Sequence, residues 1–459
     1  MLYSTFNDTI IAQCTPHGSG AIALLRLSGH TVFAIVDLIS KLPGNKKISS
    51  QATHTIHYGW IIDEEGVHID QVLFLLMRAP HTFTGDDTIE ITCHNNPFII
   101  QNIIRIAINA GARTAQEGEF SRRAVLNNKI DIIQAEAINE LIHANTQLTL
   151  KQSLSQLKGS FTQWVASIEQ QLIKALALSE ASFEFLDEEN MEFNHDIKEI
   201  ITTILETVTY LKKNFNQQQH IRSGIRIALI GSVNAGKSSL FNALLDQERA
   251  IVTDIAGTTR DAIEAGLYKN GNYWTMIDTA GLRTTDDIIE QIGITRSHQE
   301  AHKADIILLV CDGSQKITIV ETTIYEELLI RYNDKIIIVF TKADLPQQPH
   351  QLLCDKIAYV TSIADKDSIH SVEKAIQEKI TTLFQSIGSP FLLNQRHYAN
   401  ILSLESNLMI IINMLTDTTD YELVSYHLND ALSLLSELTG KTISEAGMDA
   451  VFREFCVGK

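Results

Sequence analysis

Gly231-Ser232-Val233-Asn234-Ala235-Gly236-Lys237-Ser238 is the stretch on which the reading of this chain turns. Two glycines, a lysine and a serine at this spacing follow the phosphate-loop pattern, and the flanks supply the context the pattern needs. Ile225 to Ile230 reads as a buried strand, and Ser239-Leu240-Phe241-Asn242-Ala243-Leu244-Leu245 as the start of a helix. Between strand and helix, the glycines let backbone N–H groups close around phosphate oxygens while the helix N-terminus adds positive potential. Lys237 is placed to reach the β- and γ-phosphates, and Ser238 to ligate Mg2+.

Working outward, each companion that such a loop requires is present. The strand-like run Tyr273 to Ile277 ends on Asp278-Thr279-Ala280-Gly281, where a carboxylate can hold the metal's hydration shell and a glycine N–H can meet the γ-phosphate. The run Lys335 to Phe340 ends on Thr341-Lys342-Ala343-Asp344. A carboxylate at 344 can accept two hydrogen bonds from guanine N1–H and the exocyclic amine, a donor pair adenine lacks. Gly257-Thr258-Thr259-Arg260-Asp261 offers a threonine to Mg2+. Together these residues describe a Ras-like GTPase over residues 223–385. Leu282 follows Gly281, where many GTPases place a glutamine that orients the attacking water. A leucine cannot do this, and the acidic segment Asp286-Asp287-Ile288-Ile289-Glu290 is nearby; alone, it reads more readily as a solvated loop than as a catalytic one.

The rest of the chain is longer than one core needs. At 459 residues, with 44% hydrophobic and 7% aromatic content, two or three domains are expected. Residues 1–127 mix short strand-like runs, such as Ala21 to Leu27 and Val72 to Met77, with turn-rich pieces, an α+β texture. From about Ile130 to Gln218 apolar residues recur at helical spacing. Leu154, Leu157, Phe161, Trp164, Ile168 and Leu172 step by three or four, predicting one long helix with a buried stripe. Beyond residue 222, strand-like and helical patterns alternate as in a parallel α/β sheet, and helical texture returns from about Asn394. The expected plan is an α+β domain at 1–127, helical parts at 128–222 and 386–459, and an α/β domain at 223–385 inserted between them.

Charge and cysteine usage bound the function. A formal charge of −18 argues against binding nucleic acid through bulk charge, which leaves a local basic patch or a basic partner as routes to RNA. Five scattered cysteines suit a reducing compartment. Neither a secretory leader in Met1 to Gln13 nor an apolar run long enough to span a bilayer is visible, so a cytoplasmic protein is expected.

Beyond the nucleotide motifs, the chain resembles the MnmE/TrmE tRNA-modification GTPases along its whole length. The resemblance is carried by Asp8-Thr9-Ile10-Ile11-Ala12-Gln13, Leu25-Arg26-Leu27-Ser28-Gly29, Phe83-Thr84-Gly85-Asp86-Asp87 and Gly118-Glu119-Phe120-Ser121. It continues through Asn128-Lys129-Ile130-Asp131, Gln134-Ala135-Glu136-Ala137 and Thr253-Asp254-Ile255-Ala256-Gly257-Thr258-Thr259-Arg260-Asp261 to Phe455-Cys456-Val457-Gly458-Lys459. The last motif is the most specific. The resemblance implies a folate-binding N-terminal domain, a helical domain split in sequence, and an inserted, K+-activated G domain. It implies a homodimer working with an FAD-dependent MnmG/GidA-type partner, in a heterotetramer, on C5 of the wobble uridine of certain tRNAs. The one-carbon unit would come from a tetrahydrofolate derivative in its 5-formyl or 5,10-methylene form; FAD belongs to the partner.

Residue by residue, the resemblance gives GTP contacts to Asn234, Ala235, Gly236, Lys237, Ser238 and Ser239, to Thr253, Asp254, Ile255, Ala256, Gly257, Thr258 and Thr259, to Asp278, Thr279, Ala280 and Gly281, and to Thr341, Lys342, Ala343 and Asp344. Asn234, Thr253, Ile255 and Thr258 would hold K+, Ser238 and Thr259 would bind Mg2+, and Glu290 would position water. Arg26, Glu90, Lys129 and Lys459 would contact folate, and Cys456 would be catalytic. A K+ beside the phosphates can neutralise transition-state charge as an arginine finger does.

The chain departs from the family pattern at several points. Val233 stands where proline is usual, Thr341 where the Asn-Lys-x-Asp motif has asparagine, and Ser362-Ile363-Ala364 where Ser-Ala-Lys is expected. His94-Asn95-Asn96-Pro97 replaces His-Gly-Gly-Pro, and Glu117 replaces a proline. These changes touch nucleotide and folate affinity more than fold. The rival reading is a regulatory or ribosome-assembly GTPase of the Era/Der type. That class carries a basic RNA-binding appendage and has no use for Phe455-Cys456-Val457-Gly458-Lys459; a scaffold that has lost folate chemistry is a third reading.

Overall fold

The computed structural model describes residues 8–184, 193–213, 215, 222, 224–246, 263–278, 299–348, 358–362, 365–385, 390–415 and 419–459. The chain divides into two compact units. One is Met1–Asn139, Ser155–Leu205 and Ala399–Lys459; the other is Glu140–Leu154 and Glu206–Tyr398.

The first unit is built on strands β1 (Thr9–Gln13), β2 (Ile22–Ser28), β3 (Ser40–Lys41), β4 (Thr55–Ile62), β5 (His68–Met77), β6 (Thr88–His94) and β7 (Ala112–Thr114). They form one sheet in the order β3-β4-β5-β6-β2-β1-β7, antiparallel except for the β1–β7 pair. Alternation along β5 shows why it lies flat: Asp70, Val72, Phe74 and Leu76 are buried while Gln71 and Leu73 are exposed. The inward set joins Leu25, Leu27, Ile89 and Ile91 under helices Val32–Ile39 and Pro97–Asn109. Each large side chain buried there contributes about 1.5–3 kcal/mol. The second of these helices starts where Asn96 accepts the Phe98 N–H at 2.9 Å and Pro97 occupies the first turn. The opposite face carries Arg26 across from Glu90, with Leu73 and Tyr58 further along.

Helix Ser160–Glu184 buries Phe161, Val165, Ile168, Leu172 and Ala175 and packs on helix Tyr421–Thr439, where Ser179 Oγ donates to the Tyr421 carbonyl at 3.2 Å. The two helical stretches therefore pack together although the α/β sheet lies between them in sequence. The single helix expected from Leu154 to Leu172 is corrected to two. Gln147–Leu157 stops before Gly159, whose φ of +91° breaks the helical turn, and Ser160–Glu184 begins anew. Leu154 is exposed rather than part of the stripe. A 3.6-residue spacing runs on across a lone glycine, so periodicity alone misses the break.

The second unit holds β8 (Ile225–Ile230), β9 (Ile263–Lys269), β10 (Asn272–Asp278), β11 (Ile306–Asp312), β12 (Ile336–Thr341) and β13 (Ala358–Val360). The order is β13-β12-β11-β8-β10-β9, parallel apart from the β9–β10 hairpin. Helices Lys237–Asp246 and Lys366–Gln385 cover one face and Ile319–Tyr332 the other, each over its own apolar cluster. Parallel strands buried on both faces read as the continuous apolar runs seen in β8, β11 and β12. Among the described residues no helix is long and apolar enough to cross a membrane.

Candidate functional site

The carboxyl ends of parallel strands in an open α/β sheet are where ligands bind. In the second unit β8 leads into Gly231, β10 ends on Asp278, β11 on Asp312 and β12 on Thr341. The loop after β8 is held tightly. A Cβ at Gly231 would lie 2.0 Å from the Val310 carbonyl oxygen, so only glycine fits there. Asn234 and Gly236 take φ of +61° and +88°, which turns the chain into helix Lys237–Asp246. Lys237 Nζ donates to the Gly231 and Ser232 carbonyls at 2.8 and 2.7 Å. Burial pushes this ammonium below its ordinary pKa, against the opposing pull of the Asp278 carboxylate. From behind the loop, Tyr325 Oη accepts the Ser232 N–H at 3.2 Å.

Ser238 Oγ donates to Asp278 Oδ2 at 2.6 Å. A hydroxyl and a carboxylate side by side at a phosphate loop are the hard oxygen donors that suit Mg2+, which keeps several waters in such sites. On the base side, Ser362 Oγ donates to Asp344 Oδ1 at 3.1 Å and so orients it. Thr341 is buried, and its hydroxyl donates to the Ala235 carbonyl at 2.6 Å with the Cys311 carbonyl at 3.2 Å. The residue that departs from the family asparagine therefore still ties the base loop to the phosphate loop, with its only O–H engaged. Lys342, at φ +59°, places Nζ 2.5 Å from Asp312 Oδ2. Burial would raise the Asp312 pKa, but Lys342 and Ser314 hold the carboxyl below its usual range.

Of the sequence-derived nucleotide residues, Asn234, Ala235, Gly236, Lys237, Ser238, Ser239, Asp278, Thr341, Lys342, Ala343 and Asp344 line this sheet edge. Thr253, Asp254, Ile255, Ala256, Gly257, Thr258, Thr259, Thr279, Ala280, Gly281 and Glu290 lie outside the described residues. Sequence reading did not single out Asp312 or Tyr325, which meet the site only once strands and helices pair.

A second constellation forms in the first unit. Residues 456–459 run beside the end of β1 and the start of helix Glu119–Leu126. Gly118 N–H donates to the Cys456 carbonyl at 3.4 Å, Phe120 N–H to the Lys459 carbonyl at 3.0 Å, and Cys14 Sγ to the Gly458 carbonyl at 3.1 Å. Val457 forms a β-bridge with Glu117. Gly458 sits at φ +96°, where a Cβ would approach the Gln13 carbonyl oxygen to 2.4 Å. Nearby, Arg26 Nε donates to Glu90 Oε1 at 2.8 Å, and the guanidinium lies 5.5 Å from the Phe120 ring centre and 5.8 Å from that of Phe83. Burial raises the Cys14 thiol pKa, with Arg26, Glu90 and Lys459 all close enough to act on its charge.

Three of the four expected folate residues, Arg26, Glu90 and Lys459, thus gather around Cys14, which sequence reading left aside. Strand parity was the available signal, because Cys14 lies two residues beyond Ala12, the partner of Arg26. The fourth, Lys129, is directed to the Pro80 carbonyl at 2.7 Å. Cys456 is exposed, with its carbonyl held by the Gly118 N–H.

Comparison with known proteins identifies the family. The N-terminal family described as GTP-binding protein TrmE N-terminus matches residues 9–129, and the MnmE helical domain family matches residues 132–456. The tRNA modification GTPase MnmE of Lachnoclostridium phytofermentans is 35% identical, over 98% of this chain and 99% of that protein. Those of Petrotoga mobilis and Bacillus subtilis are 36% and 34% identical, over 99% and 98% of this chain and the full length of each relative. With both family domains matched and relatives of 34–36% identity covering 98–99% of its length, the chain belongs to the MnmE family of tRNA modification GTPases and is a GTP hydrolase.

Proposed function

We propose that this chain hydrolyses GTP with Mg2+ and K+ and, with an FAD-dependent MnmG/GidA-type partner, modifies C5 of the wobble uridine of certain tRNAs. The one-carbon unit comes from a tetrahydrofolate derivative. The observation that carries the proposal is the approach of residues 456–459 to Cys14, beside the Arg26–Glu90 pair and Phe120. It gives the exposed Cys456 a cationic, aromatic-lined neighbourhood suited to an anionic heteroaromatic ligand. Arg26 and Lys459 supply charge for carboxylates, and the part-exposed Phe83 supplies a ring face, with the buried Phe120 backing the Arg26 guanidinium.

In the nucleotide site, Asp344 selects guanine and Lys237 holds phosphate oxygens; Ser238 and Thr259 would bind Mg2+, with Asp278 holding its hydration shell, and the ion would neutralise charge on the phosphates. Asn234 offers a neutral amide oxygen to K+, with Thr253, Ile255 and Thr258 completing the shell. Glu290 orients the water that attacks the γ-phosphorus, giving GDP, phosphate and a proton. The exposed apolar side chains Ile22, Ile56, Tyr58 and Leu73 on the first unit's sheet support a homodimer through that face. The reading places the protein in the cytoplasm, where GTP, folate and tRNA meet.

GTP turnover at equal ionic strength in KCl and in NaCl tests the hydrolytic half. Turnover is expected to be faster in KCl, and Glu290→Ala to slow it by ~10²-fold with GTP affinity retained. Equal rates in the two salts remove the cation mechanism. Nucleoside mass spectrometry of tRNA from cells lacking the chain, with and without its re-expression, tests the modification half.

A further inference from the structure

We propose that one edge of the first unit, formed by residues 41–57 and 78–81, docks the phosphate backbone of the tRNA through Lys46, Lys47 and Arg78. This rests on the reading of the chain as a tRNA-acting enzyme and adds where the RNA is held. The chain as a whole repels RNA, at −18 net charge. Against that background, Leu38 to Ile62 contains three lysines, Lys41, Lys46 and Lys47, and two histidines, His54 and His57, with no aspartate or glutamate.

The fold draws more positive charge to the same place. Lys41 lies on the sheet's edge strand β3, and Lys46 and Lys47 project from the exposed loop that follows it. Arg78 Nη2 donates to the Ser49 carbonyl at 2.7 Å, and its guanidinium lies 3.9 Å from the Phe33 ring centre. The backbone N–H of Arg78 donates to Thr53 Oγ1 at 2.9 Å, and His54 Nε2 lies 3.1 Å from the His81 carbonyl oxygen. Lys129 closes the row, its ammonium on the Pro80 carbonyl.

Carboxylates offset only part of this row. Asp37 accepts from the N–H and Oγ of Ser49, and Asp87 accepts the Ala79 N–H. Among the described residues, Lys46, Lys47 and Arg78 form no ion pair with either. Solvated surface lysines are common, but Arg78 is different. It is pinned by a carbonyl and a ring, so its remaining donors are held in a fixed direction without a carboxylate to satisfy them. A planar guanidinium fixed in this way suits phosphate oxygens, with flexible lysines beside it to follow the backbone. Contacts of this kind read shape and charge, not base sequence.

The test is fluorescence anisotropy of the full chain with a labelled tRNA transcript carrying uridine at the wobble position, titrated across KCl concentrations. Lys46→Gln/Lys47→Gln is expected to weaken binding about 5- to 20-fold and to lower the slope of log K against log[KCl] by about 1 per lysine. Lys46→Arg/Lys47→Arg keeps the charge and should keep wild-type affinity, and Arg78→Gln should weaken binding further. GTP turnover in both lysine variants stays at the wild-type rate, and an unchanged thermal unfolding profile of the full chain shows that the first unit is folded. Wild-type affinity and slope in the glutamine double variant overturn the proposal, as does an equal loss in the arginine double variant. A wild-type chain that does not hold tRNA overturns it too. Restored wobble modification on re-expression in cells would then show that the functional reading survives and that only the docking surface fails.

Discussion

Eight consecutive residues, Gly231 to Ser238, make the phosphate loop. The constellation around Cys14 draws on residues 14, 26, 90, 118–120 and 456–459, and no two of its segments adjoin in sequence. The first is local: a strand, a turn forced by Gly231, Asn234 and Gly236, and a helix N-terminus. The second exists only because β2 pairs with β6, setting Arg26 against Glu90, and because residues 456–459 return to β1. A local site survives changes elsewhere in the fold. A non-local one depends on every segment that delivers a member.

Five substitutions at four positions sharpen or break this contrast. The largest effect is expected from Cys456→Ser, which should abolish wobble-uridine modification while GTP turnover stays within about twofold of wild type, since a positioned catalytic group is lost from one site and nothing from the other. Modified nucleoside at wild-type levels in complemented cells would make Cys456 structural. Next is Asp344→Asn. It replaces two charge-assisted acceptors by an amide that presents a donor to guanine donors, and should weaken GDP binding by about 10²- to 10³-fold. A fluorescent GDP analogue, with ATP as competitor, measures this; effective competition by ATP against the wild type would overturn the guanine assignment.

Gly458→Ala comes third. It puts a Cβ against the Gln13 carbonyl at a φ that L side chains rarely adopt, at a cost of about 1–3 kcal/mol to the seating of residues 456–459. Hydrogen exchange at the Gly118 and Phe120 amides should accelerate, because these donate to the Cys456 and Lys459 carbonyls. Unchanged protection would show that the segment is held by its side chains instead. The smallest effect belongs to Thr341→Val, which removes one neutral hydrogen bond to Ala235 and should weaken GDP binding roughly two- to tenfold. Thr341→Asn should tighten it several-fold, because an amide can keep that bond and offer a second polar end to the base. Equal affinity in all three proteins would mean that the loops are held together elsewhere.

The strand, turn and helix around the phosphate loop were legible because they are contiguous and follow an apolar run, while residues 253–259, 279–281 and 290 lie outside the described residues. The sequence carried the N-terminal site only through resemblance. Cys14 shows why: its neighbours are fixed by strand register and by a contact across 444 residues, and neither leaves a trace in local spacing. The break at Gly159 was hidden for the opposite reason, since an uninterrupted apolar period masks a change in backbone conformation. Thr341 looked like a loss from a motif, whereas its hydroxyl joins the base loop to the phosphate loop through the Ala235 carbonyl.

The Cys14–Gly458 contact also sets an order of events during synthesis. The strands of the first unit leave the ribosome early, yet the segment that completes their candidate site emerges 444 residues after Cys14. At about 5–20 residues per second, that is an interval of about 20–90 s. The nascent N-terminal sheet must therefore persist through translation with an open cleft at Cys14, Gly118 and Phe120. The newborn protein can form its phosphate loop before residues 456–459 can reach Cys14, Gly118 and Phe120.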